Sequence, residues 1–345
     1  MYYNWKQSIN TDELQNVSKL INNGEVIVFP TETVYGIGAN ALDTEAVRKI
    51  FLAKGRPSDN PLIVHVADKD EIKQIAVIQN TVEQKLIDSF MPGPITIILK
   101  KKPIIPNIVS AGLDTVGIRM PSNKIAQKII KTSKVPIAAP SANISGRPSC
   151  TRISDIREEL ESRVSVVIDG GVSNIGLEST VVKVIDDIPV ILRPGKITPE
   201  QIEEVIGKVK IDSKVFEKLL DDEKPESPGV KYRHYDPKTK CKLIYSKDEN
   251  KQIEMINNLI NGNNNIVVLC FEEHKNKILV NKENIISIGY KNKKETIAKN
   301  IYSALRDADT RGANLILIEG VEKSGLGIAI MNRLLRTCEY DYVEG

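Results

Sequence analysis

The chain of 345 residues is 41% hydrophobic and 27% charged, an ordinary globular composition that excludes wholesale disorder, and its length favours two domains over one. Lysine and arginine number 48 against 45 acids, and the formal +3 is too small to argue for a nucleic-acid surface from charge alone. No apolar stretch reaches the ~18 residues of a membrane span and no apolar run follows the positive charge of MYYNWKQSIN, so a cytoplasmic protein is expected.

In chain order, TDELQNVSKLINNG spaces Leu14, Val17 and Ile21 as one helical face, with Thr11 as the expected N-cap and Gly24 as the stop. EVIVFP reads as a strand closed by Pro30, and a helix follows from Asp43 to about Lys54. Strands are expected near LIVHV, ITIILK, TVGIRM and PIAAP, separated by helices near TVEQKLIDSF and NKIAQKIIKT. SVVID, STVVKVI and PVILRPG then crowd together with little room for crossover helices, which predicts a sheet of mixed direction. The pattern breaks at a charged, Pro-containing stretch, so the expected division is residues 1–207, a connector at 208–240, and a second domain at 241–345. There KLIYS, NIVVLC, NIISIG and NLILIEG alternate with helices near EMINNLING and ETIAKNIYSALRDAD, a small doubly wound pattern.

Several short motifs bear on chemistry. Gly36, Gly38 and Ala41 in GIGANA, with Asp59 downstream, formally fit a dinucleotide fingerprint, but PTETVY intervenes where the first glycine must follow its strand directly. No GxxxxGK[ST] loop exists, so a bound triphosphate would be held more by side chains than by a glycine cradle. In KGRPSDNPLIVHV, Lys54 and Arg56 suit either the negative pole of the preceding helix or, with Arg56 fixed between Gly55 and Pro57, a phosphate or carboxylate fork. His65 ends an apolar strand and serves equally as a core histidine. Arg119 interrupts the strand TVGIRMP, where it either snorkels from an edge or faces a site. APSANISG places Ser141 and Asn143 where a strand runs out, and Glu178-Ser179-Thr180 followed by Arg193-Pro194-Gly195 repeats hydroxyls beside a strand and a cation at a strand end. Cys150, Cys241, Cys270 and Cys338 lie far apart without a CxxC pair and read as reduced thiols, and three histidines are too few for a histidine-rich metal site.

Taken together, PTETVYGIG, KGRP followed by NPLIVHV, TVGIRMP, APSANISG, ESTVV and LRPG resemble, in this order, the YrdC-type threonylcarbamoyl-AMP synthase family across roughly residues 8 to 205. SPGVKYRHYDP and GLGIAIMNRLLR extend the resemblance to the long, two-domain form. The resemblance implies an α/β fold: a mixed, twisted sheet with a large concave cleft, then a smaller Rossmann-like domain. It implies that threonine's amine adds to bicarbonate or derived carbon dioxide and that the carbamate attacks the α-phosphorus of ATP, expelling pyrophosphate. By position, Thr33, His65, Arg119, Ser141 and Ser179 correspond to a threonine pocket. Arg56, Asn60, Thr115, Asn143, Thr151, Arg193 and Tyr235 correspond to nucleotide contacts, with Lys54 as a further phosphate or bicarbonate cation. Magnesium is expected to arrive on ATP, and the product to pass to the machinery that modifies the adenosine beside the tRNA anticodon. In SPGVKYRHYDP, Tyr232, His234 and Tyr235 either staple a linker or close a lid over the nucleotide. Competing expectations are an RNA-binding module whose positive concave surface holds a duplex, with weak RNA binding retained even by the synthase, and a dinucleotide oxidoreductase.

Overall fold

The computed structural model of the chain describes residues 1–217, 235–261 and 265–345. These cluster into two units. The first comprises Met1–Ser145, Ser149–Asn174 and the described residues of 178–217, and the second comprises Gly146–Pro148, Ile175–Leu177 and the described residues of 235–345.

The first unit is built on a 12-stranded sheet. Its strands are β1 (Tyr2–Asn4), β2 (Ile27–Phe29), β3 (Gly36–Asn40), β4 (Ile63–His65), β5 (Ala76–Val77), β6 (Ile95–Lys101), β7 (Thr115–Arg119), β8 (Ile137–Ala138), β9 (Val166–Asp169), β10 (Thr180–Ile185), β11 (Ile188–Arg193) and β12 (Lys210–Ile211). They lie in the order β1-β9-β2-β3-β8-β4-β7-β6-β10-β11-β12, with β5 added beside β6. The directions are mixed, as expected: β4 and β7 run parallel, β6 and β7 antiparallel, β6 and β10 parallel, β10 and β11 antiparallel. The sheet runs past residue 207, because β12 pairs with β11 through Val190–Lys210 and Ile191–Ile211. A two-residue strand is too short to show a period in the sequence.

Alternation along each strand sends neighbours to opposite faces, and the apolar layers follow it. Ile27, Phe29, Ile137, Val166 and Ile168 join one core beneath the helices Thr11–Asn22 and Lys124–Ser133, while Val28, Ala138 and Val167 join the other, which includes residues of Thr44–Lys54 and Thr81–Phe90. Asn10, not Thr11, caps the first helix, its side chain accepting from the N–H groups of Asp12 and Glu13. Asn is among the strongest caps, worth ~1 kcal/mol, and Thr11 takes the first helical position instead. Asp43 caps the helix ending at Lys54, and Gly55 stops it in the left-handed region at φ 61°.

GIGAN forms the strand β3 and not a phosphate-binding turn. A Cβ on Gly38 would lie 2.7 Å from Ile137 Cγ2 and 2.9 Å from the Phe29 ring, so this glycine exists for close packing. That accounts for the glycine pattern and removes the case for a dinucleotide fingerprint.

The second unit holds a parallel sheet of β13 (Cys241–Tyr245), β14 (Ile266–Phe271), β15 (Ile285–Gly289), β16 (Leu315–Glu319) and β17 (Tyr342–Glu344), in the order β15-β14-β16-β13-β17. Its helices Glu249–Ile260, Lys294–Asp309 and Leu326–Thr337 make it the small doubly wound domain that the sequence pattern predicts.

Candidate active site

Between β2 and β3 the chain must turn, and it does so through Thr31, Glu32 and Thr33, polar residues that are nevertheless buried. Their hydrogen bonds are supplied locally. Thr31 Oγ1 donates to Val34 O at 2.6 Å and accepts from Thr33 N at 3.2 Å, and it lies 2.9 Å from Thr33 Oγ1. Ser173, whose own N–H donates to Thr151 O, ties the turn from outside by donating to Thr31 O.

This turn presents Glu32 to Arg119, whose Nη2 donates to Glu32 Oε1 at 2.7 Å; Arg119 is 4% exposed and Glu32 7%. Arg119 ends β7 directly opposite His65 at the end of the parallel strand β4. The His65 ring meets Phe29 edge-on, with centroids 6.3 Å apart. Burial, and then the Arg119 charge, depress the His65 pKa to about 3, so the imidazole is neutral at physiological pH. Burial alone would raise Glu32, but the charge and hydrogen bond of Arg119 outweigh it and hold the carboxyl below its usual range. Three side-chain atoms here are buried without a hydrogen-bond partner among the described residues: Glu32 Oε2, Arg119 Nε and His65 Nδ1. Buried polar groups left unpaired cost about 1–3 kcal/mol each. Three in one place mark a group arranged to meet something other than itself.

Ser179 adjoins this cluster through the sheet. Its Oγ lies 2.7 Å from Thr96 Oγ1, and Arg193 fixes it from behind, donating to Ser179 O at 3.2 and 3.0 Å and to Ser179 Oγ at 3.2 Å. Gly117, beside Arg119 on β7, leaves room for Thr96, whose Cγ2 lies 3.1 Å from where a Cβ would stand.

A second group forms at the other end of these strands. Thr115 and Arg119 bound the five-residue β7, which separates them by about 13 Å at strand rise. Lys54, 1% exposed, gives its ammonium to the carbonyls of Ser141, at 2.6 Å, and Asn143. Ser141 Oγ donates to Asn143 Oδ1 at 2.5 Å. Arg56 Nη2 reaches the carbonyls of Asn60 at 3.4 Å and Pro61 at 3.3 Å, which holds the guanidinium over this loop. The Asn60 amide, 1% exposed, has neither its Nδ2 nor its Oδ1 paired among the described residues.

The structure thus links His65 and Arg119 with Glu32 in the turn that carries Thr33, ties Ser179 to Thr96 and Arg193, and gathers Lys54, Arg56, Asn60 and Asn143 in a second group. Ser141 joins the second group through its bonds, yet a bridge to Gly36 ties it to the turn that carries Thr33. Tyr235 belongs to the second unit, where its buried ring stacks on Tyr302 at 5.2 Å with Arg333 5.6 Å away, and Thr337 donates to its carbonyl. Tyr232 and His234 lie outside the described residues. Glu32 and Thr96 are the members that sequence reasoning missed. An acid between two threonines reads as an ordinary turn, and only burial reveals its use.

Comparison with known proteins identifies the family. Residues 19–195 match a family model described as Telomere recombination, which groups Sua5, YciO and YrdC. Residues 197–338 match one described as Threonylcarbamoyl-AMP synthase, C-terminal domain. The threonylcarbamoyl-AMP synthase of Pyrococcus abyssi is 40% identical over 99% of this chain and 98% of its own length. That of Bacillus subtilis is 43% identical over 95% and 94%. A crystal structure of P. abyssi Sua5 complexed with L-threonine, 39% identical, superposes with a TM-score of 0.92 over 100% of this chain and 99% of that one. With both units matched in order and nearly the whole length aligned, the chain belongs to the Sua5/YrdC family of threonylcarbamoyl-AMP synthases, in its two-domain form.

Proposed function

We propose that the first unit joins L-threonine, bicarbonate and ATP into threonylcarbamoyl-AMP and pyrophosphate, the adenylate being the activated intermediate for modifying the adenosine beside the anticodon of certain tRNAs. The observation that carries the threonine assignment is the buried trio of Glu32, His65 and Arg119 with its three unpaired polar atoms. A hydroxy amino acid complements them group by group. Its carboxylate suits the Arg119 guanidinium, its ammonium suits the free oxygen of Glu32, and its hydroxyl suits the neutral His65 ring beside Thr33 and Ser179. The relative from P. abyssi was crystallised with L-threonine, which supports the same reading.

The reaction then runs in two steps. The free amine of threonine forms a C–N bond to carbon dioxide derived from bicarbonate, giving a carbamate and releasing a proton. A carbamate oxygen attacks the α-phosphorus of ATP, the new P–O bond forms as the α–β bridge breaks, and pyrophosphate leaves. Such a transfer needs alignment and neutralisation of charge more than a covalent nucleophile. Arg56, Asn60, Thr115, Asn143, Thr151 and Arg193 are the proposed nucleotide contacts. Lys54 has its ammonium on two carbonyls of the Ser141–Asn143 loop, which supports a role in fixing that loop for the phosphates. Magnesium enters as the salt of ATP. No group of three His, Cys, Asp or Glu side chains among the described residues is placed to hold a metal.

No helix among the described residues is long and apolar enough to cross a membrane. All four cysteines are buried and none forms a disulfide, which supports a reducing, cytoplasmic setting.

The assignment is tested by turnover of an amino-acid panel, read as pyrophosphate release with bicarbonate present. Threonine should lead, serine should fall behind by ~1–3 kcal/mol for one methyl group, and valine should fall much further because it leaves buried polar groups unpaired. Equal turnover of threonine and valine would refute the pocket.

A further inference from the structure

We infer that the second unit holds a ligand site of its own, a cleft at the carboxyl edge of its parallel sheet that takes a small sugar phosphate, free or as part of a nucleotide. The inference is independent of the chemistry assigned to the first unit.

The cleft has a volume of about 320 Å³ and opens where β13, β14 and β16 end, the position at which open α/β sheets bind ligands. Its lining residues Gln252, Phe271 and His274 are held from beneath by Glu319, the fully buried last residue of β16. That carboxylate accepts from Phe271 N at 2.7 Å, from Gln252 Nε2 at 3.1 Å and from His274 Nδ1. Three partners on one buried carboxylate fix the His274 ring. Its Nε2 faces Glu249 Oε1 at 2.9 Å, so the ring bridges a buried carboxylate and one at the mouth of the cleft. Burial pulls the His274 pKa down, but the hydrogen bond and charge of Glu319, and then those of Glu249, outweigh it and raise it.

Cations line the wall beside the imidazole. Lys291 reaches Glu249 Oε2 at 2.8 Å, and Lys294 donates to Ser324 O and Oγ, each at 3.1 Å. Ser324 precedes the helix Leu326–Thr337, which starts at Gly325 with no side-chain cap and no acid in its first turn. The N–H groups of Gly327 and Ile328 already donate to Ser324 O and Gly325 O, so the positive field of the cleft comes from the lysines. The two glycines of the GLG start differ. Gly327 is a packing glycine, because a Cβ there would sit 2.0 Å from Glu322 O, whereas Gly325 takes φ 53° with open space where its Cβ would be. The loop is thus shaped by backbone conformation on its open side. Glu249 and Glu322, both lining the cleft, disfavour a bare anion and favour one that also carries hydroxyl donors.

The chain has three histidines, so the His274 imidazole can be followed by NMR in the full-length protein and assigned with His274→Gln. Ribose 5-phosphate should move the His274 signal saturably and bind at least about tenfold more tightly than inorganic phosphate, with ribose alone inactive. AMP as a further probe distinguishes a free sugar phosphate from a nucleotide: the inference stands on whichever of the two binds more tightly. The double variant Lys291→Met, Lys294→Met should weaken binding about tenfold or more while melting temperature and threonine-dependent pyrophosphate release stay unchanged. A His274 signal that stays still with all probes up to about 10 mM, or moves equally in the double variant, overturns the inference.

Discussion

At the scale of single residues, the Glu32–Arg119 pair carries most of the argument. Both partners are nearly fully buried and meet at 2.7 Å, so removing one charge strands the other. Glu32→Gln keeps the shape but releases Arg119, and threonine-dependent pyrophosphate release should fall by about 10–100-fold, with KM for threonine rising more than kcat falls. Unchanged threonine affinity in this variant would place Glu32 outside the pocket. His65 offers a second check. Its pKa is depressed to about 3 in the folded chain, against the ordinary histidine value of 6.5. Between those values the unfolded chain takes up a proton that the folded chain refuses, so this contribution to stability is complete above about pH 6.5 and is lost as pH falls toward 3. The His65 imidazole should therefore stay neutral by NMR down to about pH 4, and His65→Gln should flatten the decline of urea midpoint between pH 7 and 5. A His65 signal titrating near 6.5 would contradict its burial. His65 and Arg119 were legible in the sequence as polar interruptions of apolar strands, with a structural alternative open for each. Glu32 was not, because nothing in PTETV announces that a threonine-flanked turn will be buried. Lys54 shows the converse: its charge is visible in the sequence, but its capture by two carbonyls depends on a loop almost ninety residues away.

At the scale of elements, local rules worked where the signal is local. Period-two apolar runs located most strands, and helix caps lay within a residue of their expected places, with Asn10 displacing Thr11 because the residue before the helix, in extended conformation, is the one whose side chain can reach back to the free N–H groups. Strand order was not legible. β9 lies between β1 and β2, and β8 between β3 and β4, pairings made across long stretches of chain that no short window contains. GIGAN is the instructive case, since the glycine spacing that imitates a phosphate turn instead lets β3 press against Phe29 and Ile137. Gly38→Ala should destabilise the protein by about 1–3 kcal/mol through overpacking, measured as a lower melting temperature. A neutral Gly38→Ala would mean that the sheet yields there easily and that the glycine answers another need.

For the whole molecule, a handful of motifs spread over some two hundred residues became specific only as an ordered set, and the family matches across 19–195 and 197–338 show the same organisation. The expected break at 207 missed β12, and the two short segments Gly146–Pro148 and Ile175–Leu177 cluster with the second unit, which no linear boundary can express. The central claim is that one chain converts threonine, bicarbonate and ATP into a carbamoylated adenylate. It is tested most directly by incubating the full-length protein with MgATP and isotopically labelled bicarbonate and threonine, and detecting the nucleotide products by mass. The account predicts threonylcarbamoyl-AMP carrying both labels, with pyrophosphate formed only when threonine and bicarbonate are both present. Formation of threonyl-AMP without the bicarbonate label, or pyrophosphate release that ignores either substrate, would contradict it.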